Sequence, residues 1–214
     1  MKKYILTLTL SLVWIAFAQA SDPAFVAAMQ KQLAAKNTIA TFEQSQTVTN
    51  GFLRIAEATE TEWLPLYYAA LLKTEAAFRF DIDKDKSLDE ALELAKKADK
   101  IAPGNSEITA LQGYILMAKI SIDPAGRGQT MSPQAMQLFG KAINLDRENP
   151  RAVSLMAQME LGMSQFFGTG PEKACGMARM SMDLYKKEEA KINDEYILPT
   201  WGKKQADQVT SKCN

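Results

Sequence analysis

The chain has 214 residues, 47% of them hydrophobic, and its 25 basic and 25 acidic side chains give a formal net charge of zero. This balance gives no electrostatic reason to expect nucleic-acid binding, which favours strongly basic surfaces. The sequence contains no His and no recognisable catalytic motif, so it lacks the commonest general base and metal ligand and is not expected to be an enzyme.

The first twenty residues have the pattern of a secretory signal peptide. Lys2 and Lys3 form a short positive region, an apolar run follows, and Ala18-Gln19-Ala20 supplies a small-x-small cleavage site. The run is short for a membrane-spanning helix of about 20 residues, so we expect cleavage after Ala20 rather than an uncleaved anchor. Cleavage would leave 194 residues with a net charge of −2, in the periplasm or outside the cell and without membrane insertion.

From Ser21 onward the sequence predicts an all-α protein. Good helix formers are abundant, and short Pro- and Gly-containing segments separate stretches with apolar residues three and four positions apart. Ser87 and Glu90 form a potential capping box, and Ser132, Asn149 and Gly170 each precede a Pro that suits a first helical turn. The predicted helices cover residues 23–36, 41–58, 63–80, 88–101, 106–121, 133–145, 150–166, 171–190 and 199–211.

Small residues recur along these helices at fixed offsets. Ala69, Gly113 and Ala157 are spaced 44 residues apart. A period in this range is typical of stacked helix pairs, which approach closely only where side chains are short. The matching positions in the following helices, 44 and then 39 residues apart, are Ala91, Ala95 and Ala98, then Ala135, Phe139 and Ala142, then Ala174, Ala178 and Ser181.

The stretches ALELAKKADKIAP (91–103) and AMQLFGKAINLD (135–146) resemble the second helix of the tetratricopeptide repeat family, and ACGMARMSMDLY (174–185) is a weaker copy. The segment 52–72 is similar to secreted repeat proteins of Bacteroidota-type bacteria. The resemblance implies a right-handed stack of antiparallel helix pairs, an α-solenoid. Because the units exceed the usual length of about 34 residues, we expect long loops between their helices. The implied divisions are N-terminal helices at 21–62, which would form a degenerate repeat, repeats at 63–103, 104–148 and 149–190, and a capping helix at 191–214.

In this family the first helices of the repeats line a concave face on which peptides lie. The resemblance therefore implies a protein-interaction scaffold of the cell envelope, without catalysis or a cofactor, that binds a protein or peptide segment. The candidate groove residues, placed by their register in the repeat, are Trp63, Tyr67, Tyr114, Met117, Arg151 and Gln158.

Cys175 and Cys213 are the only cysteines. In an oxidising compartment an even pair favours a disulfide, which would join the capping helix to the third repeat. The alternative is a buried free Cys175 and an exposed Cys213 near the terminus.

Three other functions fit the sequence less well. A structural envelope protein that forms homo-oligomers would associate through its Met-rich third repeat, and a carboxylate-based enzyme would have to work without His. A weak calcium site could use Asp81, Asp83 and Asp85, although the Gly and Glu of an EF-hand loop are replaced by Lys86 and Leu92.

Two further stretches favour plain structural interpretations. AGRGQT at 125–130 lacks the phosphate-binding pattern and is interpreted as a flexible turn. KKEEAK at 186–191 has opposite charges at helical spacing and is interpreted as a solvated helix face.

Overall fold

The computed structural model describes residues 22–213, and this part of the chain forms nine α-helices joined by turns and extended connections. The all-α prediction is therefore confirmed, whereas the predicted signal peptide lies outside the described residues. The helices are α1 (Pro23–Lys36), α2 (Phe42–Ala58), α3 (Leu64–Arg79), α4 (Lys84–Ile101), α5 (Ser106–Ile122), α6 (Pro124–Leu145), α7 (Pro150–Phe167), α8 (Glu172–Glu189) and α9 (Lys203–Ser211).

Helices that are adjacent in sequence pack against each other in pairs. The main contacts within pairs join α3 to α4, α5 to α6 and α7 to α8, and α1 packs on α2 in the same way. Successive pairs meet through α2 and α3, α4 and α5, and α6 and α7, while α5 also contacts α3 and α7. The first helices of the pairs thus share one face, and the predicted α-solenoid of tetratricopeptide-repeat type is confirmed.

The recurring small residues lie in the core, where the helices meet. Ala69 and Ala157 are fully buried, as are Ala91, Ala135 and Phe139 of the second helices. Gly113 marks the closest approach, since a β-carbon built on it would lie 2.5 Å from Cε1 of Phe139. The sequence period therefore reflects a physical need for short side chains between paired helices.

The segment before Pro133, which the sequence suggested was a long loop, is helical instead. Residues 125–130 were expected to form a flexible turn, and a helix was expected to begin at Pro133, but α6 begins at Pro124 and includes Pro133. The carboxylate of Asp123 caps this extension by accepting a hydrogen bond of 2.9 Å from the backbone N–H of Gly126. The additional residues of the second repeat therefore lengthen its second helix rather than its loop.

An ion pair holds the extension of α6 against α4. The guanidinium of Arg127 donates to both carboxylate oxygens of Asp85, at 2.6 and 2.9 Å. The segment that this pair holds contains Gly126 and Gly128, which have low helix propensity. Periodicity within the segment gives no sign of the pair.

The predicted capping box at Ser87 is also wrong, because α4 begins one turn earlier. Asp83 is the N-cap and accepts the backbone N–H of Lys86 at 3.0 Å, while the Ser87 hydroxyl donates to the carbonyl of Lys73 at 2.9 Å. The cap at Asn149 is confirmed, since its side chain accepts from two backbone N–H groups of α7. The Gly170 cap is displaced by one residue, with Pro171 at the N-cap of α8.

We expect Gly113→Ala to lower the free energy of unfolding by about 1–3 kcal/mol, because the added methyl group overpacks the contact with Phe139. Urea unfolding followed by circular dichroism measures the change. Gly162→Ala in α7 is the matched control, since no neighbouring atom lies within 4 Å of its built β-carbon. This control should be neutral or stabilising by up to about 1 kcal/mol, and equal effects at the two sites would contradict the packing argument.

Candidate functional site

The C-terminal strap, defined as residues 190–202, crosses the shared face of the first helices. A helix was expected from residue 199, but α9 begins only at Lys203, and the strap has no helix or strand. Side chains of three helices donate to backbone carbonyls of the strap: the Gln30 amide to Asp194, the Tyr68 hydroxyl to Ile197 at 2.9 Å, and Arg151 to Trp201 at 3.4 Å. The face therefore already holds a non-helical segment of its own chain.

Gly202 ends the strap and sets the direction of α9. Its φ of 101° lies in the left-handed region, and a β-carbon built on it would lie 2.2 Å from the hydroxyl oxygen of Tyr185. Only glycine satisfies both conditions without strain. The chain then enters α9, which packs on α7 and α8.

A disulfide fixes the far end of α9. Cys213 forms a disulfide with Cys175 of α8, with 5.6 Å between the Cα atoms, so the predicted disulfide is found and the alternative of two free cysteines is not. The bond closes a loop across a sequence separation of 38 residues, which corresponds to about 4 kcal/mol of lost chain entropy in the unfolded state. The strap is thus tethered at both ends, by α8 and by the bonded α9.

A buried arginine connects the strap with the helices beneath it. Arg151, in the first turn of α7, is only 3% exposed. Its guanidinium donates to both oxygens of Glu107, from Nε at 2.7 Å and from Nη2 at 2.8 Å, and also binds both oxygens of Glu188 on α8. The hydroxyl of Tyr67 donates to Glu107 at 3.1 Å and accepts from the indole N–H of Trp201 at 2.8 Å. One network therefore joins α3, α5, α7, α8 and the strap.

The protonation states in this network follow from burial and neighbouring charge. Burial alone lowers the pKa of the Arg151 guanidinium, but the carboxylates of Glu107 and Glu188 outweigh it and hold that pKa well above its ordinary value. Burial raises the pKa of the Tyr67 hydroxyl, and the negative charge of Glu107 raises it further. Arg151 therefore stays charged and Tyr67 keeps the proton that it donates.

Tyr114 and its neighbours form an aromatic row on the same face. Its ring centroid lies 5.2 Å from that of Trp201 on one side and 6.3 Å from that of Phe78 on the other. Burial raises the pKa of Tyr114 to about 12, and Glu75 contributes to this rise. Phe78 is 51% exposed, so the row ends at the surface.

The six candidate groove residues occupy different parts of this face. Tyr67, Arg151 and Tyr114 all contact Trp201 of the strap. Met117 is half-buried against the core formed by α5, α6 and α7, and the side-chain amide of Gln158 lies 3.5 Å from the Ser154 hydroxyl. Trp63 and Arg151 also line a cleft beside the strap. That these residues bind a peptide stays a prediction.

This cleft has a volume of about 450 Å³ and is bounded by the first turns of α5 and α7, the ends of α6 and α8, and the strap. Its lining combines apolar side chains with charged groups, including Lys187 and Lys191. Both lysines are more than half exposed, and each lies near the Glu148 carboxylate, at 3.6 and 3.9 Å.

Sequence reasoning missed Glu188, Trp201 and the strap residues of the cleft. Glu188 belongs to the run expected to be a solvated face, yet only 9% of it is exposed, because it is a partner of Arg151. Gly202 was a usable signal, since a Gly in the first turn of the predicted helix at 199–211 disfavours that helix.

The acidic side chains at the start of α4 already make contacts within the protein. Asp83 caps α4 and Asp85 binds Arg127, so two of the three suggested calcium ligands already have partners. Within residues 22–213, no three His, Cys, Asp or Glu side chains come together as a metal site. None of the helices in this described part of the chain combines the length and apolar character needed to cross a bilayer.

No protein-family profile matches this chain, and neither does any curated protein. Solved structures do match. The chain is similar to the HusA haemophore from Porphyromonas gingivalis, with 28% identity, a TM-score of 0.77, and coverage of 91% of this chain and 94% of that one. It is also similar to a thermophilic tetratricopeptide repeat protein of Thermus thermophilus, with 12% identity, a TM-score of 0.59, and coverage of 88% and 89%. The second likeness shows the fold alone.

We expect Arg151→Met to lower the free energy of unfolding by about 3–5 kcal/mol, because it leaves two carboxylates in the protein interior without their cation. Replacing all three groups, with Glu107→Gln, Arg151→Met and Glu188→Gln, should recover most of the loss. Urea unfolding measures both variants. A triple variant no more stable than the single one would contradict this assignment.

Proposed function

We propose that this protein is an exported, non-catalytic carrier that binds haem or a related porphyrin. The supporting observation is the likeness to a haemophore, at 28% identity over nearly the full length of both chains. An α-solenoid with a strap across its concave face is a rigid scaffold, and rigid scaffolds suit binding without large rearrangement.

The residue content of the chain determines how such a ligand could be held. The sequence has no His, so no imidazole of this chain can bind the iron, and the proposal assigns recognition to contacts with the porphyrin ring and its carboxylates. Aromatic side chains provide the ring contacts, and Trp63 lies beside the strap while Trp201 belongs to it. Recognition should therefore depend little on the metal.

We expect purified protein to bind haemin and iron-free protoporphyrin IX with dissociation constants within about tenfold of each other, since one decade corresponds to only about 1.4 kcal/mol. The Soret absorbance of the porphyrin and the tryptophan fluorescence of the protein measure binding independently. Cytochrome c with its haem already bound serves as a negative control for non-specific adsorption. If neither ligand binds at micromolar concentration, the proposal is wrong. Binding of haemin alone would show that the protein recognises the iron.

Two observations support export. The first twenty residues have the charge and apolar pattern of a cleavable signal peptide, and a disulfide joins Cys175 and Cys213. An exported carrier would meet its ligand outside the reducing cytoplasm and keep this bond intact.

A second candidate function is the binding of a partner peptide on the first-helix face. The supporting observation is that Gln30, Tyr68 and Arg151 bind backbone carbonyls of the strap, so side chains of this face can bind a polypeptide backbone. Beyond the strap, Tyr114, Met117 and Gln158 would contact a partner segment in the cell envelope.

We expect a photo-crosslinking residue at Met117 to capture a partner protein in source cells, whereas the same residue at Lys96, exposed on α4, should capture none. Mass spectrometry of the crosslinked product identifies the partner, and competition by the matching synthetic peptide tests specificity. Crosslinks between copies of this chain alone would favour self-association, and equal capture from both positions would contradict a specific groove.

A further inference from the structure

We infer that the porphyrin binds in the cleft beside the strap, with its ring against the apolar lining and its two carboxylates paired with Lys187 and Lys191. This inference rests on the proposed function and assigns that function to particular residues. Haem and protoporphyrin are flat, largely apolar macrocycles with two carboxylates on one edge. The cleft should therefore offer an apolar wall and exposed cationic side chains.

The apolar wall comes from four separate parts of the fold: the start of α3, the ends of α6 and α8, and the strap. Leu145 and Leu198 are 43% and 47% exposed although they line a concave surface, and exposed apolar groups in a cleft commonly indicate a binding site. Aromatic rings lie beside them, and half-buried rings of this kind can stack on a flat ligand. The apolar lining consists of Trp63, Leu145, Leu184, Tyr196, Leu198 and Pro199.

The size of the cleft also fits. Its volume of about 450 Å³ falls within the range of about 300–1,000 Å³ typical of small-molecule sites. A second cleft of about 480 Å³ lies between α2, α3 and α4, but its lining is mostly hydroxyl, amide and charged groups. Of the two, the cleft beside the strap is better suited to an apolar ring.

The charged groups of the cleft are of two kinds: carboxylates already paired inside the protein, and exposed groups at the mouth of the cleft. Glu107 and Glu188 are both bound by the buried guanidinium of Arg151, so they already have a cation. At the mouth, Lys187 and Lys191 share the carboxylate of Glu148, at separations of 3.6 and 3.9 Å. The carboxylate of Asp146 also lines the cleft and accepts the backbone N–H of Glu148 at 2.8 Å. The loose, exposed lysine pairs are weak, so two ligand carboxylates can replace Glu148 at little cost.

The lysines and Glu148 should have opposite effects on the same ligand. Replacing both lysines, with Lys187→Gln and Lys191→Gln, removes the partners of the ligand carboxylates and should raise the dissociation constant of protoporphyrin IX about fivefold or more. Glu148→Gln removes their competitor and should lower it about two- to fivefold. All three side chains are more than 60% exposed, so folding should be unaffected.

The experiment measures fluorescence quenching of these variants with protoporphyrin IX and with its dimethyl ester, which lacks both carboxylates. The ester should bind the wild type, the lysine variant and the Glu148 variant equally. Lys186→Gln is the control, because Lys186 is an exposed neighbour that approaches Asp183 instead of Glu148. Leu198→Asn should weaken both ligands, whereas Ile122→Asn, at the opposite end of α5, should weaken neither.

The outcomes separate this inference from the proposed function. If the wild type binds protoporphyrin but neither the lysine nor the Leu198 variant changes its affinity, the porphyrin lies elsewhere and the assignment is wrong. If the lysine variant weakens the diacid and the ester equally, the lysines do not pair with its carboxylates, which also overturns the inference. A wild type that binds neither ligand overturns both proposals.

Discussion

A guanidinium buried at 3% exposure imposes strict geometry on everything around it. Removing Arg151 from water is costly, and the cost is recovered only if its donors meet acceptors at the right distance and in the right plane. Two carboxylates from different helices, Glu107 and Glu188, meet this requirement, and the carbonyl of Trp201 adds a third contact. Because the fork of the guanidinium is planar and rigid, it fixes α5, α7, α8 and the strap relative to one another.

The same constraint shapes the candidate binding surface. The strap covers the concave face near Tyr67 and Tyr68 and forms one wall of the cleft with Tyr196 and Leu198. A face left open along its length would suit a long peptide, whereas a face crossed by its own chain leaves a bounded cleft. A bounded cleft of this kind is compatible with the likeness to a haemophore.

Much of the fold could be predicted because its determinants are local and periodic. Helix positions follow from spacing and from caps such as Asn149, and the buried contact at Gly113 follows from the repeat. The extension of α6 could not be predicted from local sequence, because Arg127 binds Asp85, which lies about forty residues earlier in the chain. The structure of the strap could not be predicted for the same reason. It depends on contacts with Tyr68, Gln30 and Arg151, which are too distant in sequence to appear in any local pattern. Register on the repeat did place Tyr67, Tyr114 and Arg151 on one face, but it contained no information about what covers them.

The long sequence separations of the strap contacts affect when the molecule can be completed. Tyr68 and Ile197 are 129 residues apart, Tyr67 and Trp201 are 134, and Gln30 and Asp194 are 164. Repeat arrays ordinarily fold from neighbour to neighbour, so their early units can form while later ones are still being synthesised or exported. Here the hydroxyl groups of α3 and the charged side chains of α5 and α7 cannot make these hydrogen bonds until the strap is present. The array can therefore assemble stepwise, but the face that the strap crosses reaches its final form only after the strap itself has been synthesised.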